Sequence, residues 1–232
     1  MEVTGRSSVL VWDAPTRLFH WTLVLLVIAS VTTGKFDGIL GPGTLEWHKR
    51  SGLAILALLL FRLAWGLAGG THARFSSFVR GPAAVIEYAK GLLAHGARAG
   101  NTPGHNPLGG WSVLAMLACL LVQAGTGLFI TQEDYGFEAP LAKYVSRAWG
   151  DRLSAIHQAN FWVIAGLVSL HLAAIAFYTL VKREDLVGAM LGGRKHVPAG
   201  VELAPSRGGS LARGAVVLAL AAAGVWALAF FA

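Results

Sequence analysis

Two histidines, His157 and His171, stand fourteen residues apart in the apolar run Ala155–Val181. An α-helix turns about 100° per residue, so fourteen steps fall about 40° short of four whole turns, and the two imidazoles leave nearly the same face about 21 Å apart along the axis. Ligating or ionisable side chains inside a membrane helix are costly to bury and mark function. Two more histidines match them in depth: His48, at the outer entrance of another apolar run, pairs with His157, and His20, at the inner end of the first run, pairs with His171. Two facing pairs of imidazoles at two levels are what two six-coordinate haem irons require, since haem iron takes axial histidine and bundle cores hold cofactors between ligands on facing helices. A His–His pairing leaves no open iron position, which favours electron transfer over oxygen binding.

The elements that must position these ligands are membrane spans. Hydrophobic residues make up 55% of the chain and charged residues 13%, against about a quarter charged in a soluble domain. Five apolar segments reach the roughly 20 residues a bilayer needs: Leu18–Lys35, Lys49–Leu67, Trp111–Thr131, Ala155–Val181 and Leu211–Phe231. The first follows Asp13-Ala14-Pro15-Thr16, an acidic cap candidate with an early proline. Gly34, Gly41-Pro42-Gly43 and Gly69-Gly70 mark stops and turns. Between the second and third spans, the segment opening at Pro82 sets Val85, Ile86, Ala89, Leu92 and Leu93 along one side and reads as an interfacial helix. The expected fold is an all-α integral membrane protein: a four-helix transmembrane bundle holding two haems (residues 1–191), a Gly-, Pro- and Arg-containing linker (192–210) and a fifth, C-terminal transmembrane helix (211–232). No internal repeat or low-complexity region stands out.

Charge placement sets an orientation. With the N-terminus inside, twelve Lys and Arg fall on cytoplasmic segments and six outside, with Arg62 left within a span, so the cytoplasmic N-terminus and an outer C-terminus are favoured. The N-terminal stretch has no short apolar core with a small-residue cleavage site and is expected to be retained. The single cysteine, Cys119, lies in an apolar run and offers no disulfide framework. The net charge of +7 is not read as nucleic-acid binding, because no basic cluster alternates with exposed aromatics.

Other side chains fall where haems would need them. Arg17 precedes His20 by three residues and shares its helix face. Arg62 follows His48 by fourteen residues and projects from the same stripe at the inner level, where a haem propionate is the natural partner for a buried guanidinium. Lys49 and Arg50 stand by the outer pair; they and Arg17 read equally well as headgroup anchors. Gly52, Gly125, Gly127 and Gly166 could admit a flat macrocycle or simply pack helices. His72, His95 and His196 fall in inner loops or the linker, the last two reading as solvated. His105-Asn106 leads straight into the third span at the level of the inner pair, where a His/Asn pair can hydrogen-bond a quinone carbonyl.

The sequence resembles the bacterial cytochrome b561 proteins, which are similar to the b-type cytochrome subunits of nickel-iron hydrogenase and formate dehydrogenase. The likeness is carried by VWDAPTRLFHW at 11–21, WHKRSGLAILALLLFRLAWGLAGGTHARFSSF at 47–78, GHNPLGGW at 104–111 and the His157/His171 pair, and it covers 9–196. It implies a four-helix core with two b haems on His20, His48, His157 and His171, and electron transfer between a membrane quinone pool and a partner on the outer face. The quinone site of the formate dehydrogenase relative lies near the inner haem, which would support His105, Asn106 and His171. The fifth span goes beyond the family pattern.

The leading expectation is therefore a dihaem b cytochrome of the bacterial inner membrane. It would exchange electrons between ubiquinone or menaquinone and a periplasmic redox partner, a c-type cytochrome being the expected one. A superoxide:ubiquinone oxidoreductase, with Lys49 and Arg50 drawing in superoxide, and a membrane anchor subunit of a hydrogenase or dehydrogenase complex are the alternatives. A His-lined metal or proton transporter would cluster its histidines at one depth. The chain carries no flavin or nicotinamide fingerprint and no cysteine set for an iron–sulfur cluster, so primary substrate oxidation belongs to a partner.

Overall fold

Local chemistry at the span ends decides where each helix starts and stops. A computed structural model describes residues 7–36, 40–93, 104–197 and 204–231. In chain order its elements are β1 (Ser7–Leu10), α1 (Ala14–Lys35), α2 (Thr44–Ala68), α3 (Phe75–Phe78), α4 (Pro82–Leu93), α5 (Pro107–Gly127), β2 (Thr131–Gln132), β3 (Phe137–Glu138), α6 (Arg147–Leu180), α7 (Leu186–Gly192), β4 (Arg194–Val197) and α8 (Leu211–Phe231). The Asp13 carboxylate accepts the Thr16 N–H at 2.8 Å and so caps α1, as its sequence position predicts. Thr44 starts α2, its hydroxyl accepting from Leu40 N–H and donating to the Gly41 carbonyl. Asn106 caps α5 by accepting the Gly109 N–H at 2.7 Å.

The long helices keep their expected places with shifted ends. α6 begins at Arg147 instead of Ala155, because a polar first turns can extend beyond the bilayer core while the helix continues. α5 stops at Gly127 instead of Thr131: the chain turns after the glycine, and Thr131 enters a hairpin in which it pairs with Glu138 and Gln132 with Phe137. The interfacial segment forms α4, and α8 matches the fifth span end for end. The small sheets are new. β1 and β4 pair antiparallel, Ser7 with Val197 and Leu10 with Arg194, so the segment read as a linker is partly structured.

Contacts divide the chain into two compact units. The first comprises Met1–Leu18, Ala64–Ala115 and Leu167–Gly214. Its centre is the buried Asp13, whose oxygens accept from Trp65 Nε1 at 3.3 and 3.4 Å and from Gly70 N–H at 3.1 Å besides capping α1. Trp65 is 1% exposed. Val11, Trp12 and Ala189 form an adjoining apolar cluster. Beside it, Val11 and Trp12 N–H both donate to the Gly193 carbonyl, at 2.8 and 3.0 Å. Arg213 donates to the Ala68 carbonyl and so covers the C-terminal end of α2, and buried His72 lies 2.9 Å from the Ala204 carbonyl.

The second unit comprises Phe19–Leu63, Met116–Gly166 and Ala215–Ala232. Phe19 and Phe61 meet in its interior with ring centres 6.1 Å apart, beside the buried Ile55, Leu58 and Leu59.

Among the described residues, α1, α2, α5, α6 and α8 are long and apolar enough to cross a membrane. Their outer faces carry large apolar side chains left uncovered by protein: Leu25, Trp162, Leu170 and Leu220 are each 65–70% exposed. Water-soluble surfaces do not sustain apolar patches on this scale, whereas lipid tails accept them. This is a mostly helical, multi-pass membrane protein.

Candidate cofactor site

The second unit contains a cavity of about 390 Å³ between α1, α2, α5, α6 and the β2–β3 hairpin, and its lining includes both His48 and His157. That volume lies within the range of cofactor and ligand clefts. The two imidazole centres are 6.2 Å apart, with ring planes at 80°. With metal–imidazole bonds of about 2 Å, two rings on opposite sides of one ion have centres roughly 6 Å apart. The spacing therefore fits a shared ion without rearrangement of either helix.

Each ring is also turned the right way. His48 Nδ1 lies 2.9 Å from the Ser30 carbonyl, and His157 Nδ1 lies 2.9 Å from the Gln123 carbonyl. A carbonyl only accepts, so both Nδ1 atoms carry the proton and both Nε2 atoms keep the lone pair a metal needs. Two glycines give the rings their room: a Cβ at Gly34 would stand 2.7 Å from His48 Cε1, and one at Gly127 would stand 3.2 Å from His157 Cε1. Gly52 also lines the cavity, and a Cβ there would meet nothing within 4 Å. Among the described residues no group of three or more His, Cys, Asp or Glu side chains converges to hold a metal. Two imidazoles therefore suit a metal that brings its other ligands with it, as the iron of a macrocycle does.

The charges at this cavity include Lys49, as the sequence suggested. Lys49 Nζ is 2.7 Å and Arg50 Nε 3.0 Å from the Glu46 carboxylate. One acidic residue thus offsets the basic rim on which superoxide attraction would depend. Lys35, passed over in the sequence, also lines the cavity, its ammonium 4.2 Å from the centre of the Phe161 ring. Ser30, Gln123 and Thr126 were passed over too. Ser30 and Gln123 act through backbone carbonyls, which side-chain chemistry does not reveal, and Thr126 through a hydroxyl that donates to the Val122 carbonyl and lies 3.3 Å from His157 Nδ1.

The remaining expected residues distribute as follows. His20 belongs to the second unit, half-buried, with its ring against the Trp21 edge at 5.0 Å. Arg62, also in that unit, is 3% exposed. His171 is half-buried in the first unit. Arg17 donates from Nη1 to the Leu191 carbonyl in the last turn of α7, a site where a cation completes a helix end. His105 lies between the rings of Trp12 and Phe78, with centres at 4.7 and 4.6 Å. Asn106 uses its oxygen as the cap of α5 and its Nδ2 to donate to Tyr178 Oη at 3.0 Å; Tyr178 Oη in turn lies 2.7 Å from Tyr88 Oη. Burial, with the Tyr178 hydroxyl second, pushes the Tyr88 phenol well above its ordinary range. His196 is exposed, and His95 lies outside the described residues.

Comparison with known proteins finds b-type cytochrome subunits among the relatives of this chain. A 24% identical relative from Rhizobium leguminosarum bv. viciae, described as a probable Ni/Fe-hydrogenase B-type cytochrome subunit, aligns over 82% of this chain and 90% of its own length. A relative from Azotobacter vinelandii with the same description is 28% identical, over 83% of this chain and 90% of its own. A probable Ni/Fe-hydrogenase 1 B-type cytochrome subunit of Escherichia coli (strain K12) is 22% identical, over 80% and 90%. No solved structure matches the chain. The family model for prokaryotic cytochrome b561 matches residues 11–193, a stretch that includes every histidine considered above except His196, and the chain therefore belongs to that family of haem b membrane electron-transfer proteins.

Proposed function

We propose that this protein is a dihaem electron carrier of the bacterial inner membrane, with one haem b held by His48 and His157 at the outer level and a second by His20 and His171 at the inner level. The observation that carries the reading is the outer pair: two imidazoles at the right spacing that line one cavity, each donating its Nδ1–H to a carbonyl and so keeping Nε2 free for a metal. Bound haem supplies reversible one-electron iron chemistry. The chain's part is to hold both axial positions closed, to exclude water with the apolar walls of α1, α2, α5 and α6, and to set ligand basicity through the two carbonyls. Lys35 and Lys49 line the same cavity and are the cations that would pair with propionates.

The inner pair rests on helix register: His171 follows His157 by fourteen residues, as Arg62 follows His48. Arg62 is the favoured propionate partner there. Arg17, engaged with the end of α7, is the lesser one. A quinone headgroup is assigned to the inner side near His105 and Asn106, where the hydrogen-bonded Tyr178–Tyr88 pair leaves one hydroxyl hydrogen to donate. The N-terminus is cytoplasmic and the C-terminus periplasmic, by the Lys/Arg bias.

The outer partner is read as a Ni/Fe-hydrogenase-type enzyme, since the relatives bear that description; the alternative is the c-type cytochrome expected from the sequence. Pyridine-haemochrome analysis of the purified protein tests the cofactor reading: two b haems per chain are expected, and none would end it. Co-purification of a nickel-containing hydrogenase supports the partner reading. Recovery of a c-type cytochrome in its place would replace it.

A further inference from the structure

The two outer imidazoles sit in niches of the same construction. On α1 the niche is Ser30-Val31-Thr32-Thr33-Gly34, and on α5 it is Gln123-Ala124-Gly125-Thr126-Gly127. In both, the first residue's carbonyl takes the imidazole Nδ1–H, at 2.9 Å. In both, the threonine three positions later is buried. Thr33 Oγ1 donates back to the Ala29 carbonyl at 2.8 Å and lies 3.3 Å from the Ser30 carbonyl. Thr126 Oγ1 donates to Val122 at 2.7 Å and lies 3.1 Å from Gln123. In both, the next residue is glycine and the ring of the ligand lies against it.

The spacing has a physical cause. Helical side chains lean towards the N-terminus, so the side chain at position i+4 lies over the turn containing the carbonyl of residue i. A glycine at i+4 uncovers that carbonyl. A threonine at i+3 folds its hydroxyl onto its own helix, where such back-bonding bends the turn. The uncovered carbonyl can then accept a second donor from outside the helix.

We propose that Thr33-Gly34 and Thr126-Gly127 are matched imidazole seats, positioning residues that hold His48 and His157 in the metal-binding tautomer and set the reduction potential of the outer haem. This rests on the reading of those histidines as axial ligands. An imidazole whose Nδ1–H is held by a carbonyl is more electron-rich and favours ferric iron. Loosening a seat therefore raises the potential of the outer haem and leaves the inner haem alone.

The test uses full-length protein purified in detergent, with haem content, redox titration and low-temperature EPR of both haems. Gly34→Ala places a Cβ within 2.7 Å of the His48 ring, whereas Gly127→Ala places one at 3.2 Å from His157. The expected result is an upward shift in the outer potential and a changed outer ferric EPR signal in both, larger for Gly34→Ala. Gly34→Val is expected to lose the outer haem and retain one haem per chain. Gly224→Ala on α8, whose Cβ meets nothing within 4 Å, is the control for replacing a glycine in a membrane helix and should match the unsubstituted protein. Thr126→Val is expected to move the outer signal, and Thr126→Ser to restore it. If Gly34→Val does not accumulate, the two alanine variants decide. Two haems with unchanged potentials and spectra in Gly34→Ala and Gly127→Ala would overturn the seats. Should the unsubstituted protein hold no haem on His48 and His157, as judged by a His157→Ala variant that loses none, the ligand reading fails first.

Discussion

His48 and His157 meet with their ring planes at 80° and their centres 6.2 Å apart, one on α2 and the other on α6. Neither helix alone defines a binding site; the pair does. With His48 and His157 as the axial ligands proposed above, replacing His157 by alanine is expected to lose the outer haem and keep the inner one, halving the haemochrome yield. His20→Ala is expected to do the reverse, with the spectrum of the remaining haem differing between the two variants. Near-perpendicular imidazole planes also leave the two iron dπ orbitals nearly degenerate, so the outer ferric haem should give a strongly anisotropic low-spin EPR signal. A rhombic signal of ordinary spread would count against that ring arrangement.

Asp13 holds together the first unit and should be among its most sensitive positions. Its two oxygens serve Thr16 N–H, Gly70 N–H and Trp65 Nε1. Asp13→Ala removes a helix cap and strands buried donors, for an expected loss of about 2 kcal/mol or more. Asn retains a single oxygen and meets donors on both sides, so Asp13→Asn should fall between. Thermal unfolding in detergent, followed by loss of the bound-haem Soret band, measures the order. Equal stability of all three proteins would contradict the arrangement.

Asn106 has a structural task and a proposed functional one, and substitution separates them. Asn106→Asp keeps the oxygen that caps α5 but removes the donor to Tyr178. Asn106→Ala removes both and is expected to cost about 1 kcal/mol of stability. Should quinone bind here, Asn106→Asp, His105→Ala and Tyr178→Phe keep both haems yet slow haem reduction by quinol. Unchanged rates in all three would move the quinone elsewhere.

Tyr88 provides a pH test outside the membrane spans. Its phenol is raised by burial and then by the Tyr178 hydroxyl. A folded-state value above the unfolded one contributes stability that is fully present below the unfolded phenol value of about 10 and is lost as pH rises beyond it. Stability of the unsubstituted protein should therefore fall on the alkaline side, and Tyr88→Phe should flatten that limb. An identical alkaline slope in Tyr88→Phe would show that Tyr88 does not carry the effect.

Much of this protein was legible in the chain itself. Long apolar runs with few charges can only be spans, because a bilayer forces backbone groups into helices, and the Asp13 cap, α4 and α8 followed from local spacing alone. That His48 and His157 belong together was legible for the same reason: a costly residue at a matched depth stands out in an apolar run, and the two rings do share one cavity. What side-chain type could not disclose were backbone acceptors and long-range pairings. The Ser30 and Gln123 carbonyls become partners only when another helix brings an imidazole against them, and the short repeat they share is spelled by Thr-Gly pairs, which carry no signal of their own. β4 was hidden because its partner β1 stands at the other end of the chain. Arg17 meets the Leu191 carbonyl through a tertiary contact, whereas Lys49 and Arg50 pair with Glu46 at helical spacings of three and four that the sequence already contains. Sequence determined the spans and singled out the candidate histidines within them, since both follow from the local cost of burial. Tertiary structure decided which polar atoms meet, since that depends on how separate helices are brought together.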